Sequence, residues 1–199
     1  LGVKKVLEGE CGHAHKAAMP IADRVVPMDM HVPTESSLVL LEDIVMNDRI
    51  KLDPSRNDFP VTLHDPCNIT RSMGIIQPQR NILKKICPQF REMTPHGVDN
   101  YCCGGGGGLV SMDETQEFRM TVAGQVKADQ IRATGAKYVI APCANCKKQI
   151  KELMEDQKVD CEVIGLHDAD YERAGAELAA TAAEKGWQGS ELTVNRDLL

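Results

Sequence analysis

The chain lacks a basic excess, long apolar runs and enough cysteine to be a disulfide scaffold, and it has few aromatic residues. Lys and Arg number 23 against 29 Asp and Glu, giving a net charge of −6 and a pI near 5.5. Such a balance argues against a nucleic-acid surface, so no nucleic-acid partner is expected. One Trp, three Tyr and three Phe are all the aromatics in 199 residues. No stretch approaches the roughly 18 apolar residues of a membrane helix, and no signal peptide is visible. The first residue is Leu1 rather than Met, so the sequence reads as a fragment of a longer chain. Eight cysteines in 199 residues fall below the density of a disulfide scaffold, and a chain this long needs no covalent staples. Clustered thiols in an acidic sequence of cytosolic character read instead as metal ligands or redox groups.

What is present is an alternation of strand and helix patterns. Strands are expected at Val3–Leu7, near Val25–Met28, in "FPVTLHDPC", in "AKYVIAPC" and in "CEVIGL". Helices are expected from about His13 to Ala22, in "ESSLVLLEDIVMND", in "QPQRNILKKIC" behind Pro78, and in "NCKKQIKELMEDQ". Ser111 with Glu114 reads as a capping box that starts a further helix reaching about Ala133, stopped by Gly135. An alanine-rich helix is expected from about Tyr171 to Lys185. The alternation implies an α/β fold with mostly parallel sheets. "LGVKKVLEGECGHAHK" resembles "TGAKYVIAPCANCKKQ", with Leu1 against Thr134, and "VVPMDMH" resembles "CEVIGLH", with His31 against His167. These offsets of 133 and 136 residues point to two related βα repeats.

The densest feature is "YCCGGGGGLV". Two adjacent cysteines seldom pair with each other, because the ring is strained. Five consecutive glycines, Gly104 to Gly108, cost backbone entropy. A dinucleotide fingerprint fails, since Leu109 holds the third glycine place, and no Gly-Lys-Ser/Thr makes a P-loop. Cys67, Cys102–Cys103 and Cys143-x-x-Cys146 each fall in an expected strand-to-helix turn. Such turns gather at the carboxyl edge of a parallel sheet, so five thiolates can converge. A structural zinc takes four ligands, a regular cubane also takes four, and a thioredoxin-like CxxC is a further alternative. The glycines read either as a flexible linker or as backbone that approaches a bulky inorganic group and points N–H donors at its sulfide.

"HDPC" (His64–Cys67), "CCGGGGG" (Cys102–Gly108) and "PCANC" (Pro142–Cys146) resemble the cysteine-rich CCG domain family of the heterodisulfide reductase catalytic subunit type, which also includes iron–sulfur subunits of glycolate and lactate oxidases. The gaps of 34 and 39 residues between the cysteine groups are close to the family spacing. The resemblance implies two repeats: residues 1–58 as the tail of a degenerate first repeat that retains only Cys11, residues 59–170 as a second repeat with the full cysteine set, and residues 171–199 as a C-terminal helix and tail. It implies a non-cubane [4Fe-4S] cluster on Cys67, Cys102, Cys103, Cys143 and Cys146, and an oxidoreductase that cleaves a disulfide or trisulfide. Cys102 and Cys103 would then lie at the reaction centre, and Gly104, Gly105, Gly106 and Cys11 would line the cluster. "GECGHA" is similar to the DsrK-type subunits of sulfate-reducer membrane complexes. That likeness implies sulfate respiration, cytochrome b-type membrane partners, a small thiol/disulfide protein of DsrC type as substrate, and a cytoplasmic place on the inner face of the membrane. Competing readings are an electron-relay subunit of the glycolate or lactate oxidase kind and a zinc-stabilised interaction domain.

His64 precedes the first ligand and either delivers a proton to a leaving thiolate or hydrogen-bonds its own turn. His13 and His15 are expected at the surface, Cys87 and Cys161 as inert core cysteines, and His31 and His167 as loop caps.

Overall fold

Short β-branched runs separated by amphipathic stretches set the order of elements. The computed structural model describes residues 2–167. Its strands are β1 (Val6–Glu8), β2 (Thr34–Ser36), β3 (Val61–Leu63), β4 (Phe90–Arg91), β5 (Tyr138–Ile140) and β6 (Glu162–Ile164). Its helices are α1 (Gly12–Ala18), α2 (Ala22–Val25), α3 (Ser37–Met46), α4 (Gln77–Ile86), α5 (Gln116–Phe118), α6 (Gln125–Thr134) and α7 (Ala144–Asp156). The fold is mixed α/β with parallel sheets, as expected. β1 pairs with β2, and the larger sheet runs β4-β3-β5-β6 with every pair parallel. Both sheets belong to a unit that ends at Leu166.

Val61, Thr62 and Leu63 of β3 and Val139 and Ile140 of β5 are buried, so the two central strands are covered on both faces. Ile82 and Leu83 of α4 and Ile150 and Leu153 of α7 are also buried. Each such side chain contributes about 1.5–3 kcal/mol through removal of its surface from water. Gly135 ends α6 in the left-handed conformation (φ 60°), as its sequence position suggests. Among the described residues no helix is long and apolar enough to cross a membrane.

Three local expectations are corrected. The segment around Val25–Met28 is not a strand. It holds α2 and a 3-10 turn at Met28–Met30, while the strand lies at Thr34–Ser36. Prolines at 20, 27 and 33 interrupt a ladder there by removing amide donors, and Val25 and Met28 are exposed (72% and 90%). Ser111 does not cap a helix; it closes a 3-10 segment, Gly106–Ser111, in which Gly107 and Gly108 have φ of 64° and 88°. The helix starts instead at Gln116, after Thr115 has donated its hydroxyl to the Leu109 and Met112 carbonyls (2.9 Å each), and reaches α6 through a π-turn at Arg119–Ala123. The two-residue edge strand β4 is an addition, too short to leave a periodic signal. The expected helix at Tyr171–Lys185 lies outside the described residues.

Candidate metal centre

The carboxyl ends of β3, β4 and β5 share one sheet edge, where α/β folds gather ligand-binding groups. β3 leads into His64, Asp65, Pro66 and Cys67. β5 leads into Cys143, which stands at the N-cap of α7, so Cys146 falls in the first turn of that helix. The loop after β4 carries Cys102 and Cys103 between them.

Buried polar contacts hold these turns together. The Asp65 carboxylate accepts two bonds from the Arg80 guanidinium (2.8 and 2.6 Å) and one from the Gly97 amide (2.6 Å). Arg80 also reaches Glu92. Arg71, just after Cys67, donates to the Val98 carbonyl (2.6 Å) and to the Asn100 carbonyl. The Cys67 turn is thereby tied to the loop that delivers Cys102. Charged groups this deep are stable only when paired and hydrogen-bonded.

The structure brings all five sequence-predicted cysteines together. Cys102 interacts with the thiols of Cys67 and Cys103. Cys103 Sγ lies 3.4 Å from Cys146 Sγ, and Cys146 interacts with Cys143. Cys103, Cys143 and Cys146 are buried, Cys67 is half-buried and Cys102 is exposed, and none is in a disulfide. The crowding splits their acidities. The Cys103 and Cys67 thiols and the Gly104 amide hold Cys102 well below the ordinary thiol range. The Cys146 thiol, with the Gly12 amide helping against burial, lowers Cys143 to about 5. Cys67 is raised by its neighbour Cys102 and by burial, Cys103 is pushed up to about 12, chiefly by Cys102, and Cys146 is raised chiefly by Cys103. Two thiols sit low and three high because the low two accept S–H hydrogen bonds from neighbours that keep their protons, and adjacent thiolates repel. Five thiolates can coexist here only around positive charge, and this donor set therefore fits a metal group.

His64 is fully buried beside them, and neither ring nitrogen has a hydrogen-bond partner among the described residues. One ligand atom of each of His64, Cys103 and Cys146 lies within 4.8 Å of the others, a spacing that can hold a metal ion. Burial keeps the His64 imidazole well below its usual range, and the Lys127 ammonium acts in the same direction. An orphaned buried imidazole is costly unless something is bound against it.

The glycines divide by function. The Gly104 amide donates to Cys102 Sγ (3.4 Å), and the Gly105 amide donates to Cys103. A Cβ on Gly105 would lie 2.7 Å from Gln149 Cβ of α7, and one on Gly104 would lie 3.0 Å from Ala123 Cβ. The first two glycines therefore allow the loop to press against helices, whereas Gly106, Gly107 and Gly108 face open space. His13 Nε2 accepts the Gly107 amide (3.3 Å).

The amino-terminal turn braces the CxxC turn. The Gly12 amide donates to Cys143, and the Ala144 amide donates to the Glu10 carbonyl (2.8 Å). Cys11 is half-buried and occupies the N-cap of α1 between these contacts. His15, expected at the surface, is fully buried and bridges the Cys11 carbonyl (2.9 Å) to the Ser36 hydroxyl (2.7 Å). Helical spacing could have placed it inward, beside Gly12. Cys87 is buried at the end of α4, and Cys161 is half-buried before β6, where desolvation pushes its thiol up to about 11. His31 caps the Val26 carbonyl (2.7 Å). Sequence reasoning missed Asp65, Arg80, Arg71 and the buried Lys127. Only the ionisable residues beside "HDPC" carried a signal, through proximity to the motif.

A family profile described as a cysteine-rich domain, CCG, matches residues 61–151. The chain is 35% identical over 145 residues to the Hdr-like menaquinol oxidoreductase iron–sulfur subunit 2 of Archaeoglobus fulgidus, covering 70% of this chain and 25% of that protein. It is 31% identical over 166 residues to a subunit of the dihydromethanophenazine:CoB–CoM heterodisulfide reductase of Methanosarcina acetivorans, covering 81% and 39%. It is 37% identical over 112 residues to a subunit of the fumarate reductase (CoM/CoB) of Methanothermobacter marburgensis, covering 55% and 21%. The chain thus spans between 21% and 39% of the length of these relatives. With five cysteines of the CCG spacing gathered on one sheet edge, residues 61–151 form a cysteine-rich CCG domain, similar to that of heterodisulfide-reductase-like iron–sulfur subunits.

Proposed function

We propose that the five cysteines hold a non-cubane [4Fe-4S] cluster and that the protein is the iron–sulfur redox subunit of a heterodisulfide-reductase-like complex, reducing a disulfide or trisulfide. The observation that carries the reading is the unbroken series of sulfur contacts from Cys67 through Cys102, Cys103 and Cys146 to Cys143. Four thiolates satisfy zinc or a cubane; a fifth in the same series supports a different group. When bound, such a cluster supplies electrons one at a time and an iron that can take a substrate sulfur.

The chain's own residues would do the rest. Cys102 is exposed, and Gly106–Gly108 further along the same loop face open space, so a sulfur-bearing substrate would approach from the exposed side of Cys102. One ring nitrogen of His64 lies within 4.8 Å of the Cys103 and Cys146 sulfurs; buried and neutral, it offers an N–H to a sulfur rather than a full positive charge. The amides of Gly104 and Gly105 stabilise negative sulfur. The Asp65–Arg80 pair keeps the Cys67 turn in place.

We further propose cytochrome b-type membrane proteins as electron donors and a small thiol/disulfide protein of DsrC type as substrate, with the protein lying peripherally on the cytoplasmic face. The names of the Archaeoglobus and Methanosarcina relatives, subunits of a menaquinol oxidoreductase and of a dihydromethanophenazine-linked reductase, support redox-complex partners for the first part, and the "GECGHA" turn supports the second. The division into repeats at residue 58 belongs to the same reading. Its support is that β1 with β2 and β5 with β6 are both parallel strand pairs joined through helices, α1 and α2 in the first and α7 in the second.

The test is electron paramagnetic resonance of the oxidised, cluster-loaded protein with and without a thiol. A changed signal, broadened by isotope-labelled sulfur, is expected. A spectrum indifferent to every thiol tried while reduction proceeds would favour the relay role of glycolate or lactate oxidase subunits.

A further inference from the structure

Lys127 lies on the inner face of α6 and is fully buried. Lysine ordinarily keeps its ammonium in water even where its stem is covered, yet here the whole side chain is inside. Its Nζ donates to Gln130 Oε1 and lies 3.7 Å from Met93 Sδ. Gln130 in turn is held by the Pro95 carbonyl. Met93 packs in the same buried cluster as Cys103, Cys143 and Cys146. Among the described residues no carboxylate is in ion-pair contact with this ammonium. The acid that acts on it, Asp65, is already bidentate to Arg80. The other groups whose negative form would act on it are the thiols of Cys103, Cys102 and Cys146, of which only Cys102 is held in the thiolate range here. Without a permanent partner, burial draws its pKa down to about 8. A buried cation without an acid partner is destabilising, unless the site beside it carries net negative charge when occupied.

We propose that Lys127 is the built-in counter-charge of the cysteine site: it offsets the negative charge gathered there when the metal group is bound and raises the reduction potential of that group. The inference rests on the proposed cluster reading. Lys127 touches neither the sulfurs nor substrate and is an electrostatic, positioning residue rather than a catalytic one. Accepting one electron adds one negative charge to the site, and a fixed ammonium in a poorly solvated interior favours the reduced form.

The test uses the cluster-loaded protein with Lys127→Met, which keeps the length and removes the charge, and Lys127→Arg, which keeps the charge. Iron content and a dithionite redox titration followed by electron paramagnetic resonance are the readouts. Lys127→Met should shift the midpoint to more negative potential, so that at a fixed ambient potential the oxidised-to-reduced ratio rises about tenfold or more, while Lys127→Arg stays near the wild type. If the Met variant cannot retain iron, retention by the Arg variant supports the counter-charge, and failure of both overturns it in favour of a packing role. An unchanged midpoint in a fully loaded Met variant also overturns it. Absence of iron from the wild-type protein would defeat the cluster reading itself and is distinguishable from each of these.

Discussion

One added methyl group separates the roles of the five glycines. In Gly105→Ala the new Cβ meets Gln149 Cβ at 2.7 Å and Cγ at 3.0 Å, an overpacked contact worth about 1–3 kcal/mol of stability. Gly106→Ala meets nothing within 4 Å, and its change should stay within about 0.5 kcal/mol. Denaturant unfolding of the two apoproteins checks this, and equal losses would contradict the packing account. Cys161 gives a pH signature. Its thiol is raised to about 11 by burial, with Asp160 and Glu162 adding repulsion. Between the unfolded value near 9 and this folded value the folded state holds more protons than the unfolded one, so stability present below pH 9 is lost as pH rises toward 11. Cys161→Ala should remove that part of the alkaline slope; an unchanged slope would show that other groups produce it. At this scale the five clustered cysteines were legible because their spacing is a motif, whereas the split of the glycine run into two packed positions and three open ones was not. His15 and Lys127 were not legible. A histidine or lysine in a helix reads as solvent-facing until the opposing element is known, and both are covered by partners distant in sequence.

The elements that carry the site depend on one buried ion pair. Asp65 and Arg80 have side-chain exposures of 1% and 5%, so Arg80→Met leaves a carboxylate uncompensated in the interior. That should cost about 3–5 kcal/mol, whereas the double variant Asp65→Asn/Arg80→Met should cost markedly less than the sum of the single variants. Thermal or denaturant unfolding of the three variants measures the coupling, and strict additivity would mean that the pair does not act as a unit. β3, α4, β5 and α7 were legible because their apolar residues follow one period over several positions, and Gly135 because only a left-handed stop suits it there. β2 and the start of α5 were not. Thr34–Ser36 is polar and owes its strand to main-chain pairing with β1. Ser111 carried a capping signature that lost to the positive φ of Gly107 and Gly108 and to the Thr115 hydroxyl.

Across the whole molecule, the parallel order β4-β3-β5-β6 turns a linear motif into a site, since it sets three strand ends side by side. That convergence was foreseeable from strand–helix alternation alone. The bracing of the CxxC turn by Gly12 and Glu10 was not, because nothing local in "GECGHA" says which distant turn it meets. The central claim is that five cysteines serve one iron–sulfur group. The most direct measurement is iron and acid-labile sulfide per chain after anaerobic reconstitution, in the wild type and in single Cys→Ser variants. About four of each per wild-type chain are predicted, with substantial loss in each of the variants at Cys67, Cys102, Cys103, Cys143 and Cys146 and near-full loading at Cys87 and Cys161. One zinc per chain with no sulfide, or undiminished iron in Cys67→Ser or Cys103→Ser, would contradict the account.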